Sequence, residues 1–156
     1  MRLRLIRRLL LRFKQIDNRR RALLVEAVGY LLAARLALIV IPFPHLARRI
    51  GTFVPPTDAR AATSQDAPAA DQTRLAQDIG WAVTGAARYV PFKAVCLPQA
   101  MAARVMLKRR GIRSVMHFGA AKGQHKVDAH AWLDAAGVEV TGYPVAENFA
   151  EIACFV

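Results

Sequence analysis

Two residues in the second half of the chain have types and surroundings suited to covalent chemistry. Cys96 stands in "VPFKAVCLPQAMAARVMLKRRGIRS", residues 90–114, at the mouth of a helix pattern. The first turn of a helix offers unpaired N–H groups and the positive end of its dipole, and both stabilise a thiolate. Pro98 suits that turn, where no N–H bond is lost. His130 stands in "DAHAWLDAAGVEVTG", mid-strand, where a stiff backbone can aim an imidazole at a helix terminus. A thiol beside an imidazole is a nucleophile for acyl transfer: the ring takes the proton and later returns it to the leaving group. A third group on a neighbouring strand would fix the ring tautomer. The same two residues also read as packing, a small buried thiol and a satisfied strand histidine.

Other sulfur and imidazole groups compete for these roles. His117 lies between Met116 and Phe118 and is open to either reading. His125 sits in a glycine-flanked loop and reads as exposed. Cys154, between "IA" and "FV", reads as core. The two cysteines are 58 positions apart and give no disulfide framework, so a reduced, cytoplasmic thiol protein is expected. Zinc is not expected, on the reading that no two ligands stand at i+2 to i+4 spacing. The expectation is therefore no metal and no cofactor.

The elements that must position Cys96 and His130 follow from periodicity. A helix is predicted over about 96–110, with Leu97, Ala100, Met101, Val105 and Leu107 toward a core and "KRRG" closing it. Residues 112–118 read as a strand and "GAAKGQHK" as a loop. "VDAHAWLD" and "VEVTGY" flank the turn "AAG", an antiparallel hairpin, and a last strand or short helix ends at "FAEIACFV". Upstream, residues 74–87 read as a helix capped by Asp71 or Thr73, with Leu75, Ile79 and Ala82 or Val83 inward and Trp81 off that stripe. Residues 52–73, rich in Pro, Ala, Ser, Thr and Asp, read as a linker or surface loop. The fold class is α+β: a helical N-terminal half, then a helix packed on a small antiparallel sheet.

The N-terminal region, residues 1–51, is basic and helical. Residues 1–50 carry 12 Arg/Lys against 2 acids, whereas residues 51–156 carry 11 against 9. In residues 2–15, Leu3, Ile6, Leu10 and Phe13 form a stripe among arginines, an amphipathic helix pattern. It suits a solvated face or a docking face for an acidic peptide, protein or membrane surface. No base-reading motif accompanies the charge, so nucleic acid is not expected. Residues 22–41 are long and apolar enough for a membrane span. Glu26 and Arg35, nine residues apart, would set one charge or the other toward lipid. A helix from Asp17 or Asn18 to about Ile41, packed on several sides within a helical bundle, is the expectation.

"CLPQAMAARVMLKRRGI" followed by "HFGAAKG" and "DAHAWLDAAGVEVTG" resembles the transglutaminase-like cysteine proteases that remove the leader from lasso-peptide precursors. "LLVEAVGYLLAARLALIVIPFPHLARRIG" resembles the helical region that precedes their core. The resemblance implies a transglutaminase/papain-like core over residues 74–156, with Cys96 as nucleophile and His130 as base. It implies a cytoplasmic leader peptidase that works with a separate leader-recognition protein and a cyclase. An acyl transferase or deamidase of the same fold, or a degenerate peptide-binding scaffold, are the alternatives. The family's acid, on the strand after the histidine, aligns with Gly142. Glu139 through a shifted register, Thr141 or a backbone carbonyl are left as orienting groups. Asp128 and Asp134 share the strand face of His130, but Asp128 is a same-strand neighbour that reaches the ring poorly.

Overall fold

A computed structural model of the chain describes residues 16–61, 68–123 and 127–156. The amphipathic pattern of residues 2–15 and the loop position of His125 lie outside these residues.

Four helices and a five-stranded sheet form the described fold. Helix α1 spans Asn18–Val40. Its N-cap is Asp17, whose carboxylate accepts from the Arg20 amide at 2.8 Å. It buries Leu23, Ala27, Leu31 and Ala34, a stripe at steps of four, four and three. The opposite face leaves Val25, Val28, Leu32, Leu36 and Ile39 exposed. So α1 is packed on one side, not on several as its apolar sequence suggested. Glu26 is accounted for by a two-point ion pair with Arg110, at 3.1 and 2.6 Å. By length and composition α1 could cross a membrane.

Helix α2 follows over Phe43–Ile50. The segment predicted as linker does more than connect. Phe53–Val54 form strand β1 and Ala59–Ala61 a 3₁₀ turn, and Val54 is buried. Pairing with the C-terminal strand, 100 residues away in sequence, gives this proline-flanked dipeptide a place that local pattern does not reveal. Helix α3 spans Ala70–Ala87 and buries Ala76, Ile79, Gly80, Ala82, Val83 and Ala86. Its N-cap is Ala69, not Asp71 or Thr73. The Thr73 hydroxyl instead donates to the Ala136 carbonyl at 3.2 Å, tying the helix to a hairpin turn. Trp81 is outside the core, with the Arg20 guanidinium 5.2 Å above its ring.

Helix α4 spans Cys96–Lys108. It buries Pro98, Ala100, Ala102, Ala103, Met106 and Leu107. Val105, expected inside, is exposed: the helix packs between α1, α3 and the sheet, so two faces of small residues are buried in place of one stripe of large ones.

Strands β2 (Ser114–Lys122), β3 (Val127–Ala135), β4 (Val138–Thr141) and β5 (Ala150–Phe155) complete a sheet of order β1-β5-β2-β3-β4. Every pairing is antiparallel. Strand β2 runs through Gly119–Lys122, which the sequence assigned to a loop. It is central, paired on both edges, so small residues suffice to hold it extended. Ala136 and Gly137, both at positive φ, make the two-residue turn between β3 and β4.

One core joins the helices to one face of the sheet. Leu31 from α1, Ile79 and Val83 from α3 and Met106 and Leu107 from α4 cluster with Met116, Leu133, Ala135, Val140 and Phe155. Arg104 of α4 pins the layers together. It donates to the carbonyls of Ile50, Ser114 and Phe155 at 2.8, 2.7 and 3.1 Å, and burial holds its pKa below the usual arginine value.

Candidate functional site

Cys96 is the first residue of α4 and is partly exposed. Val95, its N-cap, has no side chain to satisfy the first amides. Three residues on, the Gln99 side chain turns back and donates to the Ala94 carbonyl at 2.6 Å. That bond fixes the loop that delivers Cys96 to the helix mouth.

His130 lies on β3 opposite Gly119 of β2. Strand alternation sets it with Trp132 and Asp134, on the face turned away from Leu133 and Ala135 and hence from the core beneath α4. Trp132 stacks against it at 5.9 Å between ring centroids, and Phe149 flanks it at 5.4 Å. Gly119 makes room for this arrangement: a Cβ there would lie 2.8 Å from the Trp132 ring. The His130 Nε2 is 2.6 Å from the Gly142 carbonyl oxygen. A carbonyl can only accept, so Nε2 is the donor in this contact and Nδ1 is the nitrogen left for other chemistry.

This contact bears on which group meets the His130 ring. Glu139 is exposed and pairs across from Asp134, and a bulge then brings Thr141 opposite Leu133. Glu139 therefore does not meet His130. Thr141 is buried with its hydroxyl unpartnered. The group that meets the ring is the backbone of Gly142, at the position where the sequence pattern expected an acid. Its φ of +88° and its contacts explain the glycine: a Cβ would fall 2.5 Å from the Ala131 oxygen and 2.7 Å from the Trp132 Cβ. A carboxylate side chain at 142 is incompatible with this backbone, and the carbonyl takes the ring instead.

Among the described residues no hydrogen bond joins Cys96 to His130. Strand β4 pairs with β3 only from Leu133 to Ala135, so the edge of β3 beside His130 has no β4 partner.

A second constellation lies on the same sheet face as His130. His117 stacks on the other side of Trp132 at 5.5 Å, nearly parallel. Its Nδ1 is 2.5 Å from Glu151 and its Nε2 3.3 Å from Asp134. The Cys154 thiol donates to Glu151 at 2.9 Å and lies 3.6 Å from His117 Nδ1. Tyr143 donates to Asp134 at 2.6 Å. Burial acts to lower the His117 pKa, but the two carboxylates outweigh it and the net shift is upward. Burial, then the Glu151 carboxylate, pushes the Cys154 thiol up to about 12. Cys154 is core, as its apolar neighbours implied, but it is core with polar company. The sequence reading found His117 and Cys154 separately and missed Glu151 and Tyr143.

An apolar recess of about 440 Å³ lies beside α2 and the β1–β5–β2 part of the sheet, lined by Phe43, Phe53, Phe118 and Phe155. Neither Cys96 nor His130 lines it.

A helix headed by a cysteine, followed by an antiparallel sheet with a histidine on its second long strand, is a transglutaminase-like arrangement. The family description "Transglutaminase-like superfamily" matches residues 37–154, from the last turn of α1 to the last strand. The chain belongs to that superfamily. Neither the curated proteins nor the solved structures hold a significant match to it.

Proposed function

We propose that the chain is a cysteine endopeptidase that removes the leader from a ribosomally made precursor of the lasso-peptide kind. The observation that carries this reading is the contact between His130 and the Gly142 carbonyl. With its Nε2 proton held by the Gly142 carbonyl, Nδ1 is the free base, and a nearby thiol is what such a base activates. Family membership and the place of Cys96 at a helix mouth support the same roles.

In the reaction, Nδ1 takes the Cys96 proton and the thiolate attacks the scissile carbonyl. The oxyanion is held in part by the Cys96 backbone N–H, one of the amides a helix start leaves unpaired. The imidazolium then protonates the leaving amine, and water releases the acyl group. Among the described residues the ring and the thiol are not hydrogen-bonded to each other, and the reaction requires substrate binding to bring them together. Such contacts are often long without substrate and tighten on binding. A carbonyl stabilises an imidazolium less than a carboxylate does, so the rate is expected to be modest. A separate recognition protein would present the leader, with Arg4, Arg7, Arg8 and Arg12 as its electrostatic docking points, and a cyclase would act on the product. The work is assigned to the cytoplasm, where thiols stay reduced.

The test is cleavage of a leader-bearing peptide by the native chain, Cys96→Ala and His130→Ala, with the recognition protein present. Loss in both variants, with folding intact, supports the assignment; cleavage by Cys96→Ala rejects it. The fold also fits transfer of an acyl group to an amine. Mass analysis separates the two: hydrolysis divides one water between two fragments, whereas transfer leaves a linked product.

A further inference from the structure

The cluster around His117 is not used by the proposed reaction, and its donors converge. His117 Nδ1, Glu151 Oε1 and Cys154 Sγ form a triangle with sides of 2.5, 2.9 and 3.6 Å. A point about 2.0–2.3 Å from every corner, the bond lengths of zinc to nitrogen, oxygen and sulfur, lies just above that triangle, and the Glu151 contacts, held short by hydrogen bonds, would open to about 3.2 Å or more to reach tetrahedral angles. We propose that these three residues form a zinc(II) site, with a fourth position open to solvent.

Four features support the assignment. The first is the donor set: one thiolate, one imidazole and one carboxylate suit zinc, and the two anions neutralise its charge. On binding, Cys154 gives its S–H proton and His117 its Nδ1 proton to solvent, and the ligand atoms are then lone-pair donors. The second is the outer shell. Asp134 lies 3.3 Å from the far nitrogen of His117, near enough to favour positive charge there although not aligned for a hydrogen bond, and Tyr143 in turn holds Asp134. The third is access. The side chain of His117 is 11% exposed and that of Glu151 33%, while Cys154 is fully buried. The site is anchored inside and opens at the glutamate.

The fourth is a feature of the backbone. Glu151 and Cys154 are three residues apart, a spacing that points side chains to opposite faces of a regular strand. Here β5 has a bulge: Phe118 pairs with Ala153 and Gly119 with Glu151, so Ile152 is the extra residue. The bulge returns Glu151 to the face of His117 and Cys154, the kind of re-aiming for which bulges are used. The sequence expectation of no metal rested on finding no two ligands at i+2 to i+4 spacing, which passed over Glu151 and Cys154 at i+3. It could not see a set split between β2 and a bulged β5.

The experiment uses full-length, tag-free protein, stripped with a chelator and then dialysed against zinc(II) or cobalt(II). One equivalent of zinc is expected. Cobalt should give tetrahedral d–d bands and a thiolate-to-cobalt charge-transfer band. That band should vanish in Cys154→Ser and persist in Cys96→Ser. Since Cys154 is buried, Glu151→Gln serves as the milder variant and should bind zinc at least about tenfold more weakly. Asp134→Asn should weaken binding by about 10–100-fold. The proposal is overturned if the native protein retains no metal, if the charge-transfer band moves with Cys96, or if Glu151→Gln binds as tightly as the native chain.

Discussion

Cys96 and Cys154 carry the same thiol in opposite settings. Cys96 heads α4, partly open to solvent, beside the amides of a helix start. Cys154 is sealed under β1 and the 3₁₀ turn, in a small cluster with Val54, Ala61 and Val115, and faces a carboxylate. The first setting leaves the thiol where substrates can reach it. The second disfavours an anion unless a cation arrives to pay for it. Polar neighbours do not make a cysteine a nucleophile: Cys154 has two hydrogen-bonding partners, Glu151 and His117, and the less chemistry for it. The histidines divide in the same way. His130 has one carbonyl and a free nitrogen, whereas His117 has a carboxylate at each nitrogen.

The sharpest way to break this contrast is to remove each thiol in turn. Cys96→Ala and His130→Ala should each lower cleavage about a thousandfold or more, and the double variant should be no worse than either, because the pair acts as a unit. Cys154→Ala should keep most of its activity. A reversal, with Cys154 essential and Cys96 dispensable, would transfer the chemistry to the sheet face.

Alkylation sharpens the same contrast without a substrate. In metal-free native protein, iodoacetamide should modify Cys96 at least about tenfold faster than Cys154, read by peptide mass mapping. A thiol raised to about 12 forms its thiolate only as pH climbs toward that value. Cys154 should therefore stay unmodified up to about pH 9, where an ordinary cysteine is already ionised. Unfolding should make the two alike.

The histidine contrast is tested at Gly142. Gly142→Asp restores the acid type that the family pattern carries, yet it should not raise activity. The substitution forces a side chain into positive φ and against Ala131 and Trp132, at a cost of about 1–3 kcal/mol. A denaturant midpoint lower than the native value, with no gain in cleavage, is the expected result. Higher activity would show that the backbone can shift to admit a carboxylate.

The smallest effect expected is on stability in Cys154→Ala, on the order of 1 kcal/mol for a small buried side chain. Thermal unfolding of metal-free protein measures it.

The sequence displayed the helix mouth well because everything there is local. Asp17 as a cap, Cys96 at a helix start, Gly111 past its end and the β3–β4 hairpin are signals within a few residues of one another. The sheet face was legible only in pieces. Its parts come from β2, β3, the segment after β4 and β5, and the adjacency of β5 to β2 is not a short-range property. Glu151 was hidden by the odd spacing that the bulge corrects. The partner of His130 was hidden differently: the functional atom at 142 is a carbonyl oxygen, which every residue has. What marked the position was the glycine, since it is the residue that tolerates that φ and that close approach. Strand β1 was masked by its proline-rich flanks, and Gly119–Lys122 by glycine and alanine, which suggest a loop until neighbours are found on both edges.

Helix α1 has two competing destinies, and its ion pair connects them. Folded as described, it gives Leu23, Ala27 and Leu31 to the core and Glu26 to Arg110. Drawn into a bilayer, the same residues would abandon α3 and α4, carry Glu26 into hydrocarbon and strand Arg110 without its partner. Spanning a membrane and completing this domain are mutually exclusive fates for one stretch of chain. A lipid surface could still receive Val25, Leu32, Leu36 and Ile39 with the domain intact, so that the protein would rest on a membrane as a raft rests on water.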